Sequence, residues 1–263
     1  MLGAIVGDIV GSIYEWDNIK TKDFPLFKDE CFFTDDTVMT VAVADALLAG
    51  GTSLDFIEAF KKWGRLYPDA GYGGRFFNWI MSDSVEPYNS WGNGSAMRVS
   101  PCGWVEGSSQ KARLSAMVTH NHPEGVKGAL AVADLIYMGR SYKDMNGFTL
   151  ERFKDRIKEY IEGKYGYNLS LSLDEIRPSY TFDVSCKGTV PPAITAFLES
   201  TDFEDAIRNA ISLGGDSDTL GAITGSIAEA FYGIPSFIKE RALSYLDKPL
   251  EEVYLRFTHK YSV

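Results

Sequence analysis

Glycines recur at every fourth position in two apolar stretches near opposite ends of this 263-residue chain: Gly3, Gly7 and Gly11 in the first, Gly221 and Gly225 in the second. Leu2, Ile5, Val6, Ile9, Val10 and Ile13 form a helical stripe beside the first set. Leu220, Ile223, Ile227 and Phe231 do so beside the second, where Gly233 and Pro235 supply a stop signal. A helix that is apolar on one face and free of side chains on another admits a second backbone at close range, so both stretches are expected to be buried. The first set is not a dinucleotide-binding loop, since its spacing is G-x-x-x-G-x-x-x-G and no strand precedes it.

Each end of the chain also carries acids where a buried helix begins. Gly214-Gly215-Asp216-Ser217-Asp218-Thr219 opens the second glycine helix, and Thr34-Asp35-Asp36-Thr37 precedes Val38, Val41 and Leu48 in a helix closed by Gly50-Gly51. A capped helix start explains one such pair, because the dipole favours acids in the first turn. Two pairs on two buried helices gather like charges, and like charges in one place need a cation. Glu15 ends the first apolar run, where the dipole disfavours an acid, and is a further candidate. Oxygen donors of Asp, Glu and Thr suit Mg²⁺ or Mn²⁺. The number of candidate ligands fits two ions sharing a bridging carboxylate, which points to phosphoester or glycosidic hydrolysis. The Asp-x-Asp phosphatase motif requires a preceding strand, and Ile207 to Leu213 reads as helix.

The formal net charge of −10 and the lack of a long basic run argue against docking of nucleic acid. Cys31, Cys102 and Cys186 lie far apart without metal-ligand spacing, and no long apolar span is present, so a reduced, cytoplasmic protein without membrane insertion is expected. No linker divides the chain, and residues 1–263 are expected to form one domain. Period-two alternation is almost absent and about a dozen segments read as helices, which makes the fold class all-α. Among these are a helix from Ser53 to Trp63 capped by Ser53, a charged amphipathic one from Thr149 to Glu162, one from Phe203 to Ile211, and a closing pair, Phe237 to Leu246 and Leu250 to Phe257. Gly163 to Pro178 reads as loop. The glycine loop Ala70–Gly74 contains Tyr72, and a second, Ser90 to Arg98, reads as a tight turn with Ser95 as helix cap, able to approach a ribose or diphosphate through main-chain donors. His120 and His122 lie at a helix junction, as caps or packed hydrogen-bonders, with a ligand-contacting role open to His120.

Taken in order, Gly3-Ala-Ile-Val-Gly-Asp8, Phe33-Thr-Asp-Asp-Thr37, Gly92-Asn-Gly-Ser-Ala-Met-Arg98, Thr119-His120 and Gly214-Gly-Asp-Ser-Asp-Thr219 resemble the ADP-ribosylglycohydrolase family, in the manner of the dinitrogenase reductase-activating glycohydrolases. The resemblance spans nearly the whole chain. It implies a compact orthogonal multi-helix domain with a dinuclear Mg²⁺ or Mn²⁺ centre that releases ADP-ribose from a modified acceptor. By position, Thr34, Asp35, Asp36 and Asp218 would hold one ion and Glu15, Asp216, Asp218 and Thr219 the other. Glu15, Asp35 and Asp36 would be the catalytic carboxylates, with no single base assigned. Gly92, Asn93, Gly94, Ser95 and His120 would contact ADP-ribose, with Tyr72 near the terminal ribose. The expected partners are ADP-ribose and an ADP-ribosylated protein or small molecule, acting on a monomeric enzyme. Some arginine-specific members place an aspartate in the loop that here reads Asp69-Ala-Gly-Tyr-Gly-Gly74, and the acceptor stays open between arginine, serine, a nucleobase and a small molecule. The alternatives are a non-catalytic ADP-ribose-binding or structural relative, and a dinuclear phosphoesterase.

Overall fold

The computed structural model describes residues 1–142 and 149–261, and among them the regular structure is helical, with one isolated bridge between Gly92 and Ser185. The N-terminal half contains α1 (Leu2–Gly11), α2 (Asp35–Ala49), α3 (Ser53–Leu66), α4 (Gly74–Met81), α5 (Gly94–Met97), α6 (Ser108–Met117) and α7 (Pro123–Tyr142), with a 3-10 turn over Ser100–Trp104. The C-terminal half contains α8 (Leu150–Tyr165), α9 (Leu173–Ile176), α10 (Cys186–Leu198), α11 (Phe203–Ile211), α12 (Ser217–Tyr232), α13 (Ser236–Leu243) and α14 (Lys248–Tyr261). The all-α class read from the sequence is therefore observed. None of the described helices is long and apolar enough to cross a membrane.

The two glycine helices find one another. All ten residues of α1 are buried, as is α12 from Ser217 to Phe231, and the two run antiparallel with glycine against glycine. A Cβ on Gly3 would strike the Gly225 carbonyl, one on Gly7 would strike Gly221, and one on Gly11 would lie 2.5 Å from the Asp218 Cα. Antiparallel packing brings the C-terminal end of α1, which leads to Glu15, beside the N-terminal end of α12, which carries Asp216 and Asp218. At the opposite end, Glu229 of α12 accepts from the amides of Leu2 (3.2 Å) and Gly3 (2.9 Å) and so caps α1.

Several boundaries differ from the sequence reading. The cap of α3 is Thr52, in a reciprocal capping box with Asp55, and Ser53 is the first helical residue. The cap of α5 is Asn93, while Ser95 lies inside the turn and turns its hydroxyl to the Gly125 carbonyl at 2.7 Å. In both places two cap-forming residue types stand close together; at α3 the local box with Asp55 selects Thr52, and at α5 the Ser95 hydroxyl is drawn away to Gly125. The Gly163–Pro178 loop is shorter than read, because α8 runs on to Tyr165 and Ser172 caps the one-turn α9. The three cysteines are buried and free.

Candidate active site

Both acid motifs open onto one cleft of about 450 Å³. From α2, Asp35 and Asp36 line it; from the start of α12 come Asp216, Asp218 and Thr219; from the turn after α1 comes Glu15. The carboxylates of Glu15, Asp216 and Asp218 offer oxygens within 4.8 Å of one another. Thr34 sits behind the lining, with its hydroxyl 3.4 Å from an Asp218 oxygen, and Thr219 donates to Asp36 at 3.2 Å. Thus the two predicted sets of acids, about 180 residues apart in sequence, meet at one place.

Electrostatically the cluster is uncompensated. Burial first, and then the neighbouring carboxylates, hold Asp35, Asp36 and Asp218 well above the ordinary aspartate range. Glu15, half-buried, is raised to about 7 by desolvation and the charge of Asp218, against a pull from the Trp16 indole. Asp216 is raised to about 6, chiefly by desolvation. Among the described residues no lysine or arginine ion-pairs with any of the five, and the buried Oδ1 of Asp36 has no hydrogen-bond partner. An orphaned anionic oxygen amid repelling oxygens is the chemistry of a hard-cation site, so the donor set fits Mg²⁺ or Mn²⁺.

Two residues to which the sequence reading gave no role hold the cluster in place. Asp8, fully buried in α1, accepts from the Thr34 amide (2.9 Å), the Thr34 hydroxyl (2.7 Å) and the Thr37 amide (3.0 Å), and so fixes the start of α2. Its signal was a charge in an otherwise apolar helix. Asn18 clips the Glu15 turn to the Asp216 turn. Its Nδ2 donates to the carbonyls of Tyr14 (2.7 Å), Glu15 (2.8 Å) and Gly215 (3.0 Å), and its Oδ1 accepts from the Gly215 amide at 2.7 Å. The turn it grips has Gly214 and Gly215 at φ +67° and +72°, which other side chains rarely adopt. Asn18→Ala leaves those carbonyls without their common donor. It is expected to lower kcat by roughly tenfold to a hundredfold, on the scale of losing a support around a metal site, with little change in Tm. Steady-state kinetics and a melt on the same preparation check this; a pure loss of stability would contradict it.

The other end of the cleft is lined by the second glycine loop and His120. Gly92, Asn93, Gly94 and His120 line it, with Arg75, Phe76, Tyr88 and Arg98 around them. Asn93 bridges the two ends, its Nδ2 donating to Asp216 at 2.7 Å and to Thr189 at 3.1 Å. Two of the residues expected near ligand stand back from the lining. Ser95 is fully buried, and Tyr72 packs its ring on Phe76 (centroids 5.7 Å apart) with its hydroxyl buried and unpartnered. His122 is a cap, its Nδ1 accepting from the Glu124 amide at 3.1 Å. At the mouth, the 81 % exposed Trp16 stacks on Phe182 with centroids 5.2 Å apart.

Comparison with known proteins bears on this arrangement. ADP-ribosylhydrolase ARH3 of Mus musculus and of Homo sapiens are each 27 % identical, over 89 % of this chain and 83 % and 84 % of theirs. ADP-ribosylarginine hydrolase Tri1 of Pseudomonas putida is 26 % identical over 97 % of this chain and 77 % of its own. The fold is also that of a solved structure, the ADP-ribosylglycohydrolase-related protein complex, with a TM-score of 0.68, 24 % identity and coverage of 98 % of this chain and 95 % of that one. The family model described as ADP-ribosylglycohydrolase matches residues 1–261, a span that takes in every acid of the cleft, and the chain belongs to that family.

Proposed function

We propose that this protein is a divalent-metal-dependent hydrolase that cleaves the glycosidic bond between ADP-ribose and a modified acceptor. The observation that carries the reading is the polarity of the cleft: an uncompensated carboxylate cluster at one end, a glycine loop with a histidine at the other. The relatives' names share ADP-ribosyl hydrolysis, and the cleft is of a size for a small ligand. Thr34, Asp35, Asp36 and Asp218 would hold one ion and Glu15, Asp216, Asp218 and Thr219 a second, with Thr34 behind the cleft wall. Bound there, the ions would supply Lewis-acid polarisation of hydroxyls and an acidified water. The chain's own part is to bind and orient. Glu15, half-buried beside the open cleft, is the carboxylate best placed to take a proton from water attacking the anomeric carbon, as the acceptor departs with the bonding electrons. Asp35 faces the same space from α2. Asn93, bonded to Asp216, ties the loop that would grip ADP-ribose to the acids that would act on it.

The test is ADP-ribose release from matched arginine- and serine-linked ADP-ribosyl peptides, with Mg²⁺ or Mn²⁺ and with a chelator. Release from one linkage, abolished by chelator and restored by metal, is expected. Binding of ADP-ribose without release from either peptide would replace the hydrolase by a non-catalytic binder. That second reading is disfavoured by the acid cluster itself, since a binder gains nothing from five carboxylates with raised pKa values.

A further inference from the structure

Arg98 is a charged side chain with 1 % exposure at the wall of the cleft, and what it does there is decided by counting donors and acceptors. Its guanidinium lies over the ring of Phe60 (4.2 Å to the centroid), which fixes its plane. One terminal nitrogen donates to the Ser115 carbonyl at 3.1 Å and to the Thr119 hydroxyl oxygen at 2.8 Å. That oxygen in turn lies 2.8 Å from Nδ1 of His120. Thr119 is fully buried, and among the described residues its hydroxyl has no other partner. Arginine carries only donors, so Thr119 Oγ1 accepts from it; were the second lone pair to take an Nδ1–H, the buried threonine proton would have no acceptor, so the hydroxyl donates to Nδ1 of His120. An Nδ1 that accepts leaves the proton of a neutral imidazole on Nε2.

Nε2 looks into the cleft at the glycine loop. A Cβ on Gly94 would lie 3.2 Å from it and one on Gly92 3.6 Å, so the glycines keep open the space that Nε2 faces. No acceptor among the described residues takes its proton. We propose that Arg98 and Thr119 are positioning residues that lock His120 as the Nε2–H tautomer, presenting a neutral, fixed hydrogen-bond donor to an anionic diphosphate held against the glycine loop. The identity of that anion rests on the functional reading above, whereas the tautomer does not. Burial and the two nearby guanidiniums of Arg98 and Arg75 keep the imidazole uncharged, so the donor persists at neutral pH. A histidine free to exchange tautomers would offer an acceptor part of the time, facing a diphosphate oxygen with a lone pair.

The experiment is nitrogen NMR of the imidazole in the full-length protein, alongside ADP-ribose binding and steady-state kinetics. In the wild type, His120 should show Nε2 protonated and Nδ1 bare at neutral pH. Thr119→Val removes the bridging hydroxyl at nearly constant volume. It should mix the two tautomers, weaken ADP-ribose binding and raise KM by about tenfold, the scale of one lost hydrogen bond, and leave kcat within about twofold. Thr119→Ser should restore all three. Arg98→Met, which removes the donor to both Thr119 Oγ1 and the Ser115 carbonyl and so lets the hydroxyl turn its proton away from Nδ1, should also mix the tautomers in protein that remains folded by circular dichroism. A wild-type His120 protonated on Nδ1, or a Thr119→Val protein with wild-type spectrum and KM, would overturn the proposal. If the wild type neither binds ADP-ribose nor releases it, the functional reading fails, and the spectrum alone still decides the tautomer.

Discussion

Asp218→Asn is expected to reduce kcat/KM by about a thousandfold, equivalent to about 4 kcal/mol of barrier, and to abolish stabilisation by Mg²⁺ or Mn²⁺, without unfolding the protein. The position is singled out by electrostatics. Among the neighbouring charges that raise Glu15, Asp35 and Asp36, Asp218 is the largest contributor in each case. It is therefore the carboxylate on which the others converge, and the one whose loss most changes the field a cation would meet. Its removal should also reveal the cost of the cluster. The native carboxyl groups bind protons more tightly than in the unfolded chain, so between the two pKa values the native state carries more protons and stability falls as pH rises. The contribution is fully present below the ordinary carboxylate range and is lost as pH climbs through the native values of about 6 for Asp216 and about 7 for Glu15. Metal-free wild type should thus melt at progressively lower temperature from about pH 5 to pH 8, and added metal should reverse the trend. Metal-free Asp218→Asn should show a flatter profile and be at least as stable at pH 8 while inactive. Melts in chelator across this range decide it; a profile that rises with pH would mean that the acids are compensated within the protein.

Some features of this site are local in the sequence, and others exist only in the folded chain. The acids at Asp35, Asp36, Asp216 and Asp218 are legible because both motifs interrupt an apolar pattern, and Glu15 because it closes an apolar run, although α1 stops at Gly11 and leaves Glu15 in the turn beyond it. The glycine periodicity announced two closely packed helices, yet nothing in either stretch names its partner: Gly7 meeting Gly221 is a pairing across more than two hundred residues, visible only in the folded chain. The supports were illegible for a similar reason. Asn18 follows the turn after α1, where an asparagine carries no signal of its own, and two of its four bonds reach Gly215, almost two hundred residues away. Ser95 and Asn93 are both of cap-forming type, yet neither side chain caps α5: Asn93, at the N-cap position, donates to Asp216, and the Ser95 hydroxyl donates to the Gly125 carbonyl. The role of His120 stayed open because it depends on which nitrogen carries a proton, and that is set by Arg98 through Thr119.

The glycine pairing leads to the second large effect, where two principles predict opposite signs for one methyl group. By helix propensity alone Gly7→Ala should stabilise α1 by about 1 kcal/mol, since alanine loses less backbone freedom. By packing it should destabilise, because the new Cβ would enter the Gly221 peptide, and backbone cannot rotate aside as a side chain can. Overpacking typically costs about 1–3 kcal/mol even where side chains can shift, so the clash wins, and a net loss of about 2 kcal/mol or more is expected. For a chain of this length that is a fall in Tm of roughly 4–8 °C. Gly73→Ala is the control: its Cβ would meet nothing within 4 Å. The consequence reaches the chemistry, because separating α1 from α12 pulls Glu15 away from Asp216 and Asp218, whose oxygens lie within 4.8 Å of it. Gly7→Ala protein that remains folded should therefore lose affinity for metal before it loses helicity, seen as a higher metal concentration for half-maximal activity. A Tm equal to or above that of wild type would mean that the two helices do not meet backbone to backbone, and with that the reason why acids from opposite ends of the chain share one cleft would be gone.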